Sequence, residues 1–271
     1  MTSPIKALLF TRTSDYRHAS IPALATSLSS LSSLSLTHTE SLSELQTLLP
    51  AQDILILGHN TGDFLDDESL SAVEAFVERE GTGVVGVHAC TAGMLECQWY
   101  ADLLGARFDG HPEPQWGRLK VHYRSEEAKD QGEHFVLQGI PAPSPSSFPS
   151  SASPCPETLR ASPDSRTDFP WFDEWYNFKP IPRFPPKGST VLVSVDPTTY
   201  QGWTGESGDE IGSLHPLVWC HEAEKGSTRV FHTALGHFDE AYADRWFMGM
   251  LERGIWWAAR RGCYCMKVKH V

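Results

Sequence analysis

Gly83-Val84-Val85-Gly86-Val87-His88-Ala89-Cys90-Thr91-Ala92-Gly93 is the stretch that decides the fold of this chain. Its first residues read as a short buried strand, and the small residues after them as a sharp turn leading to a helix. Such a strand-to-helix elbow is where many α/β enzymes hold their nucleophile. Here the residue at the apex is His88, with no serine or cysteine in that place. A site is expected in the usual position, with different chemistry.

Working outward, strands alternate with helices. Residues 5–11 form a β-rich opening, and residues 20–34 predict a helix that fades into a loop. Residues 34–38 alternate as a second strand. Residues 41–49 predict a short helix with Ser41 as N-cap and Glu44 three residues on, a capping-box spacing. Residues 53–58 are a fully apolar strand, as the middle of a parallel sheet requires. Asp66-Asp67-Glu68 is an acidic helix start that suits the macrodipole. Leu70, Val73, Phe76 and Val77 follow it at helical spacing. A further helix is expected around 98–104. This alternation implies parallel strands joined by right-handed crossovers, with ligands at the carboxyl ends of the strands.

After Gly105 the rhythm changes. Residues 117–123 and 190–195 read as strands. Residues 216–221 and 229–233 read as a hairpin around 224–227. Residues 242–260 read as a closing helix with Phe247, Met250, Leu251, Gly254 and Ala258 on one face. Residues 141–170 are rich in Ser and Pro and predict a flexible insertion, because such composition buries little apolar surface. The 271 residues are read as one domain, 1–271, carrying that insertion.

The 22 basic and 34 acidic residues leave a formal net charge of −12. Nucleic-acid and anionic-membrane surfaces need clustered Lys and Arg, so neither is an expected partner. No apolar run reaches the roughly 18 residues of a spanning helix. The N-terminus lacks the basic and apolar regions of a secretory leader. The six cysteines have no zinc-finger spacing and are read as reduced thiols of a cytoplasmic protein. Cys263 and Cys265 read as a loose surface pair.

Four histidines fall at predicted strand ends or in turns: His18, His88, His111 and His237. All can gather at one sheet edge. A histidine at a helix N-terminus is disfavoured as imidazolium. Kept neutral, it binds a metal, accepts a proton or donates a hydrogen bond. The plain alternative for any one of them is a histidine that only ties loops together. Glu174 stands beside Trp175 and Tyr176, whose burial of the carboxyl would raise its pKa and suit it to general acid or base work. The alternative there is an aromatic core strand with a solvated acidic end. Asn60 and Asp63 follow the third strand and are placed at the same edge, although Asp63 also suits a helix cap. Cys90 lies two residues past the apex, where a nucleophile would not stand. Neither a P-loop nor a dinucleotide fingerprint occurs.

The motifs taken together resemble a known family. They are Leu9-Phe10-Thr11 with Tyr16-Arg17-His18, Asn60-Thr61-Gly62-Asp63, Gly86-Val87-His88-Ala89, Asp109-Gly110-His111-Pro112, Asp173-Glu174-Trp175-Tyr176-Asn177, His215-Pro216 and Gly236-His237. In that order they resemble the ThuA-like (trehalose utilisation) family, over roughly residues 5–260 outside the insertion, which compact members lack. The resemblance implies a flavodoxin-like α/β fold of the class I glutamine amidotransferase type, a mostly parallel sheet with helices on both faces. That larger group usually has cysteine at the elbow, so His88 implies no cysteine-dependent amide hydrolysis.

The implied function is in the metabolism of trehalose, a related disaccharide or a keto-sugar. The expected catalytic residues are His88, Glu174 and His18. The expected substrate-binding residues are Asn60, Asp63, Trp175, Tyr176 and Asn177. His88, His111 and His237 are the candidate ligands of a divalent metal, for which imidazoles without a thiolate cluster favour zinc. The reaction would be a metal-assisted lyase, hydrolase or isomerase step. The alternative, of a different class, is a non-catalytic sugar-binding or regulatory module with the same pocket. The expected partner is a small sugar, with a homo-oligomer left open.

Overall fold

The computed structural model describes residues 3–123, 133–143, 148–150, 152–160, 166–179, 189–202, 215–223 and 228–261. In chain order the elements are β1 (Ile5–Phe10), α1 (Ile21–Ser29), β2 (Leu34–Thr39), α2 (Leu42–Leu48), β3 (Ile54–Gly58), α3 (Asp67–Glu78), β4 (Gly83–Val87), α4 (Gln98–Leu104), β5 (Arg107–Phe108), β6 (Gln115–Val121), α5 (Glu157–Arg160), β7 (Asp168–Asp173), β8 (Phe178–Lys179), β9 (Thr190–Val195), β10 (His215–Glu222), β11 (Arg229–Thr233) and α6 (Arg245–Ala258).

Nine strands form one sheet in the order β2-β1-β3-β4-β11-β10-β9-β6-β7. The pairings from β2 through β11 are all parallel, and those from β11 to β7 are all antiparallel. Seven of the nine strands therefore point the same way, and only β10 and β6 reverse. The order 2-1-3-4 followed by a fifth parallel strand is the flavodoxin-like arrangement, whose ligand site lies beyond the β1/β3 switch point.

Strand residues alternate between the two faces, and each face has its own core. Leu9, Ile56, Val85 and Val87 pack with α1 and α6, whereas Leu8, Phe10, Leu55, Leu57 and Val84 pack with α2, α3 and α4. β3 and β4 are buried at every residue, as strands covered on both faces must be. α6 is capped by Asp244, whose carboxylate accepts from the amides of Trp246 and Phe247. Its buried face is the predicted one, joined by Trp246 and Ile255.

Several local expectations change. The elbow does not open an α-helix: His88–Ala92 is a single 3₁₀ turn, and α4 starts only at Gln98. The dipole argument for a neutral His88 therefore loses its helix, since one turn aligns few peptides. Asp66, not Asp63, caps α3, accepting from Ser69 N at 2.8 Å. The capping box of α2 is half closed: Ser41 accepts from Glu44 N, but the Glu44 carboxylate turns to the Thr39 hydroxyl.

The Ser/Pro-rich stretch contains packed pieces. The Phe148 ring lies 4.5 Å from that of Trp116 and 5.6 Å from that of Trp171. Leu159 is buried, and β7 begins inside the stretch. Composition hid these few apolar anchors among Ser and Pro. The predicted turn at 224–227 and the pair Cys263 and Cys265 lie outside the described residues. The four described cysteines are free thiols. No helix among the described residues is long and apolar enough to cross a membrane.

Candidate functional site

Strand direction explains why distant loops meet. β1, β3, β4, β11 and β7 run the same way, so the residues after each emerge at one edge. β6 and β10 run the other way, so the residues that open them lie at that edge too. His18, His88 and His237 follow β1, β4 and β11. Glu174 follows β7, and His111 precedes β6.

Glu174 is the centre. Its Oε2 lies 3.3 Å from His88 Nε2 and 2.9 Å from His237 Nδ1, and its Oε1 lies 3.6 Å from His111 Nε2. His88 occupies the elbow with φ of +52°, a conformation uncommon outside glycine. Its Nδ1 lies 2.7 Å from Ala234 O. A carbonyl only accepts, so Nδ1 carries the proton and Nε2 presents a lone pair to the site. The Tyr176 hydroxyl donates to that Nε2 over 3.3 Å.

His18 completes the cluster. It is buried, its ring stands edge-on to that of His88 at 4.8 Å, and its Nδ1 has no hydrogen-bond partner. Ligand atoms of His18, His88, Glu174 and His237 all lie within 4.8 Å of one another. His237 Nδ1 and Glu174 Oε2, although 2.9 Å apart, are not aligned as a hydrogen bond.

The electrostatics follow from burial against contact. Burial alone would raise the pKa of Glu174, but the imidazoles of His237 and His88 outweigh it and hold the carboxyl well below its usual range. The expectation of a raised, acid-like Glu174 is thus overturned: the aromatic neighbours desolvate it, and the histidines more than compensate. Burial likewise disfavours charge on His237, yet Glu174 prevails and raises its pKa. Burial, with His88 and His237 adding to it, depresses His18 to about 2, so it is neutral.

Two residues here escaped sequence reasoning. His59 follows β3, has φ of +56° and is fully buried. The Tyr242 hydroxyl donates to Gly236 O at 2.9 Å, so His59 Nε2, 2.7 Å away, donates to Tyr242 and leaves Nδ1 unprotonated. Gly236 itself has φ of +115°, and a Cβ there would lie 2.7 Å from the Tyr242 hydroxyl. Asp173 is buried, and its carboxylate accepts from the amides of Glu174 (2.9 Å), Gly236 (2.9 Å) and His237 (3.2 Å). It thereby pins both halves of the Glu174–His237 pair. The position of His59 directly after an apolar strand was the available signal. Asp173 had none beyond its place beside Glu174.

A cavity of about 460 Å³ opens onto the cluster, with His18, His111, Glu174 and Tyr176 in its walls. Of the predicted substrate-binding residues, Tyr176 lines it. Asn60, Asp63, Trp175 and Asn177 do not. The Asn60 amide instead donates to Phe10 O and Arg12 O, bracing the end of β1. Asp63 is exposed, and Trp175 is fully buried against Gly117. The backbone of Asn177 pairs with Asp109 and Gly110 and so holds the loop that carries His111. The Cys90 thiol lies behind the elbow, 3.5 Å from His232 Nδ1, and burial pushes its pKa far up.

The donor set fits a metal ion. A tetrahedral zinc with bonds near 2.0–2.1 Å spaces its ligand atoms by about 3.3 Å; the His88–Glu174 and His237–Glu174 separations are 3.3 and 2.9 Å, and the whole set lies within 4.8 Å. Three imidazoles and one carboxylate suit zinc-like ions. The set is His18, His88, His237 and Glu174, with His111 flanking the other carboxylate oxygen.

Comparison with known proteins agrees with this architecture. A ThuA-like protein from Parabacteroides merdae ATCC 43184 superposes with a TM-score of 0.62 at 18% identity, covering 94% of this chain and 90% of its own. The N-terminal domain of mmIFT52 gives a TM-score of 0.50 at 8% identity, covering 98% of this chain and 100% of its own. At these identities the likeness concerns the fold alone. No curated protein matches the chain. The family described as trehalose utilisation, ThuA, matches residues 6–146 and 161–258, and the chain belongs to that family.

Proposed function

We propose that this protein, a trehalose-utilisation family member, is an enzyme acting on a disaccharide or its keto form in the cavity above Glu174. His18, His88, His237 and Glu174 would hold a divalent metal ion. The observation that carries this reading is the convergence of four ligand atoms within 4.8 Å, three of the four residues buried, with two of them, His18 and Glu174, on the wall of an open cavity. Buried lone pairs without partners are costly, and an ion answers all of them at once.

A bound divalent ion supplies Lewis acidity toward a sugar carbonyl or hydroxyl oxygen. The chain's own groups do the rest. Glu174 stays ionised, so it supplies negative charge at the centre of the cluster and does not act as an acid. His18, held neutral by burial, offers an imidazole lone pair at the same wall. Tyr176, whose pKa burial drives well above 10, stays a neutral phenol beside His88. The ring of His111, stacked on Tyr176 at 5.1 Å and 11°, borders the cavity and reaches solvent.

The test is calorimetric titration of the metal-loaded protein with trehalose and with a keto-trehalose, followed by product analysis. The proposal expects turnover of at least one of them, abolished in Glu174→Gln. Binding without turnover would instead make the protein a sugar-binding module.

A further inference from the structure

Among the described residues, the large apolar side chains left exposed are Tyr16, at 62%, and Leu95, at 36%. Both stand at the mouth of the Glu174 cavity. Scattered exposed apolar residues are ordinary, but two converging on one opening are not scatter. Tyr16 is also held in place. Its carbonyl accepts from the Thr61 hydroxyl at 2.6 Å, and its ring meets His18 edge-on at 4.8 Å and 82°. A pre-positioned ring binds with little loss of freedom.

The charges around this ring are asymmetric. Asp15 and Glu113 line the same mouth. Lys179 is the one Lys or Arg that lines it among the described residues, and its Nζ already lies 3.9 Å from the Asp109 carboxylate. Carboxylates accept hydrogen bonds from sugar hydroxyls and repel phosphate.

We propose that Tyr16 and Leu95, flanked by Asp15 and Glu113, form an outer subsite that takes the distal ring of a neutral, unphosphorylated disaccharide while its inner ring lies against Glu174. This deepens the proposed function and rests on it. The aromatic face of Tyr16 stacks on the C–H face of the distal ring, and the two carboxylates accept from its hydroxyls. The subsite selects disaccharides over monosaccharides, and free sugars over phosphorylated ones.

Calorimetry of the full chain with trehalose, glucose and trehalose 6-phosphate tests this in the wild type, Tyr16→Ala and Tyr16→Phe. The wild type should bind trehalose more tightly than either other probe. Tyr16→Ala should lose about tenfold in trehalose affinity and keep its glucose affinity, with Tyr16→Phe close to wild type. An unchanged trehalose-to-glucose ratio in Tyr16→Ala, or tighter binding of the phosphorylated sugar, would overturn the subsite and leave the sugar function standing. If the wild type binds none of the three, the subsite falls; the sugar function falls with it only if keto-trehalose is not bound either.

Discussion

His88 and Cys90 stand two residues apart on one elbow, and their side chains enter different worlds. His88 faces Glu174, His18 and His237 on the cavity side. Cys90 faces His232, whose ring packs tilted against Trp219 at 4.3 Å, with His221 bonded to Leu103 O nearby. Both groups are buried, and both contain imidazole nitrogens without a partner, His221 Nδ1 and His232 Nε2 among them. An unpaired nitrogen is therefore not what makes a site. The cavity side alone has an ionised carboxylate among its imidazoles and an opening to solvent. The cysteine side is a histidine-rich core.

The largest effect that sharpens this contrast comes from Glu174→Gln. It removes the charge that the cluster is built around, and metal affinity should fall by more than the 10- to 100-fold or so typical of a supporting residue. Competition with a chelator measures it. His232→Ala should lower thermal stability and leave metal content unchanged. Equal metal loss in both would erase the contrast.

Acid comes second. Burial depresses His134, His215 and His221 to about 4 and His232 to about 3. Each is neutral when folded and ordinary when unfolded, so the unfolded chain binds more protons between those values and about 6.5. Stability must fall as pH drops through that window, by up to about 1.4 kcal/mol per pH unit for each such histidine. Denaturant titrations from pH 7 to pH 4 should show a steep decline, shallower in His221→Gln. A flat profile would mean that these histidines are not held neutral.

Asp173→Asn has a smaller reach. Both carboxylate oxygens already accept N–H bonds, Oδ2 from Trp171 and Gly236 and Oδ1 from Glu174 and His237. Whichever way the new amide turns, its NH₂ meets a donor. Metal affinity should drop about 10- to 100-fold with the fold retained by circular dichroism, a readout that separates positioning from collapse. The smallest effect belongs to Cys90→Ser. Its thiol is buried and held protonated, so thiol reagents should leave activity of the native protein untouched.

The parallel half of the sheet was legible because its strands are apolar throughout and its helices begin at Asp66 or Ser41. The loops that carry His18, His88, His111 and His237 were legible as strand ends. Glu174 was found, but its protonation was misjudged, because sequence shows the neighbouring aromatics and not the imidazoles arriving from three other loops. β5 and β8 are two residues each, too short for any periodicity. Trp175 and Asn177 read as ligand groups because nothing in the chain says which side of a turn a side chain takes. Trp175 fills the core beside Gly117, and Asn177 is buried where it braces the backbone.

The central claim is that Glu174, His18, His88 and His237 hold one divalent ion. Elemental analysis of protein loaded with zinc and then dialysed tests it most directly. One equivalent per chain is predicted for the wild type and for His232→Ala, and close to none for Glu174→Gln and His237→Ala. No bound metal in the wild type, or full occupancy in the two site variants, would contradict it.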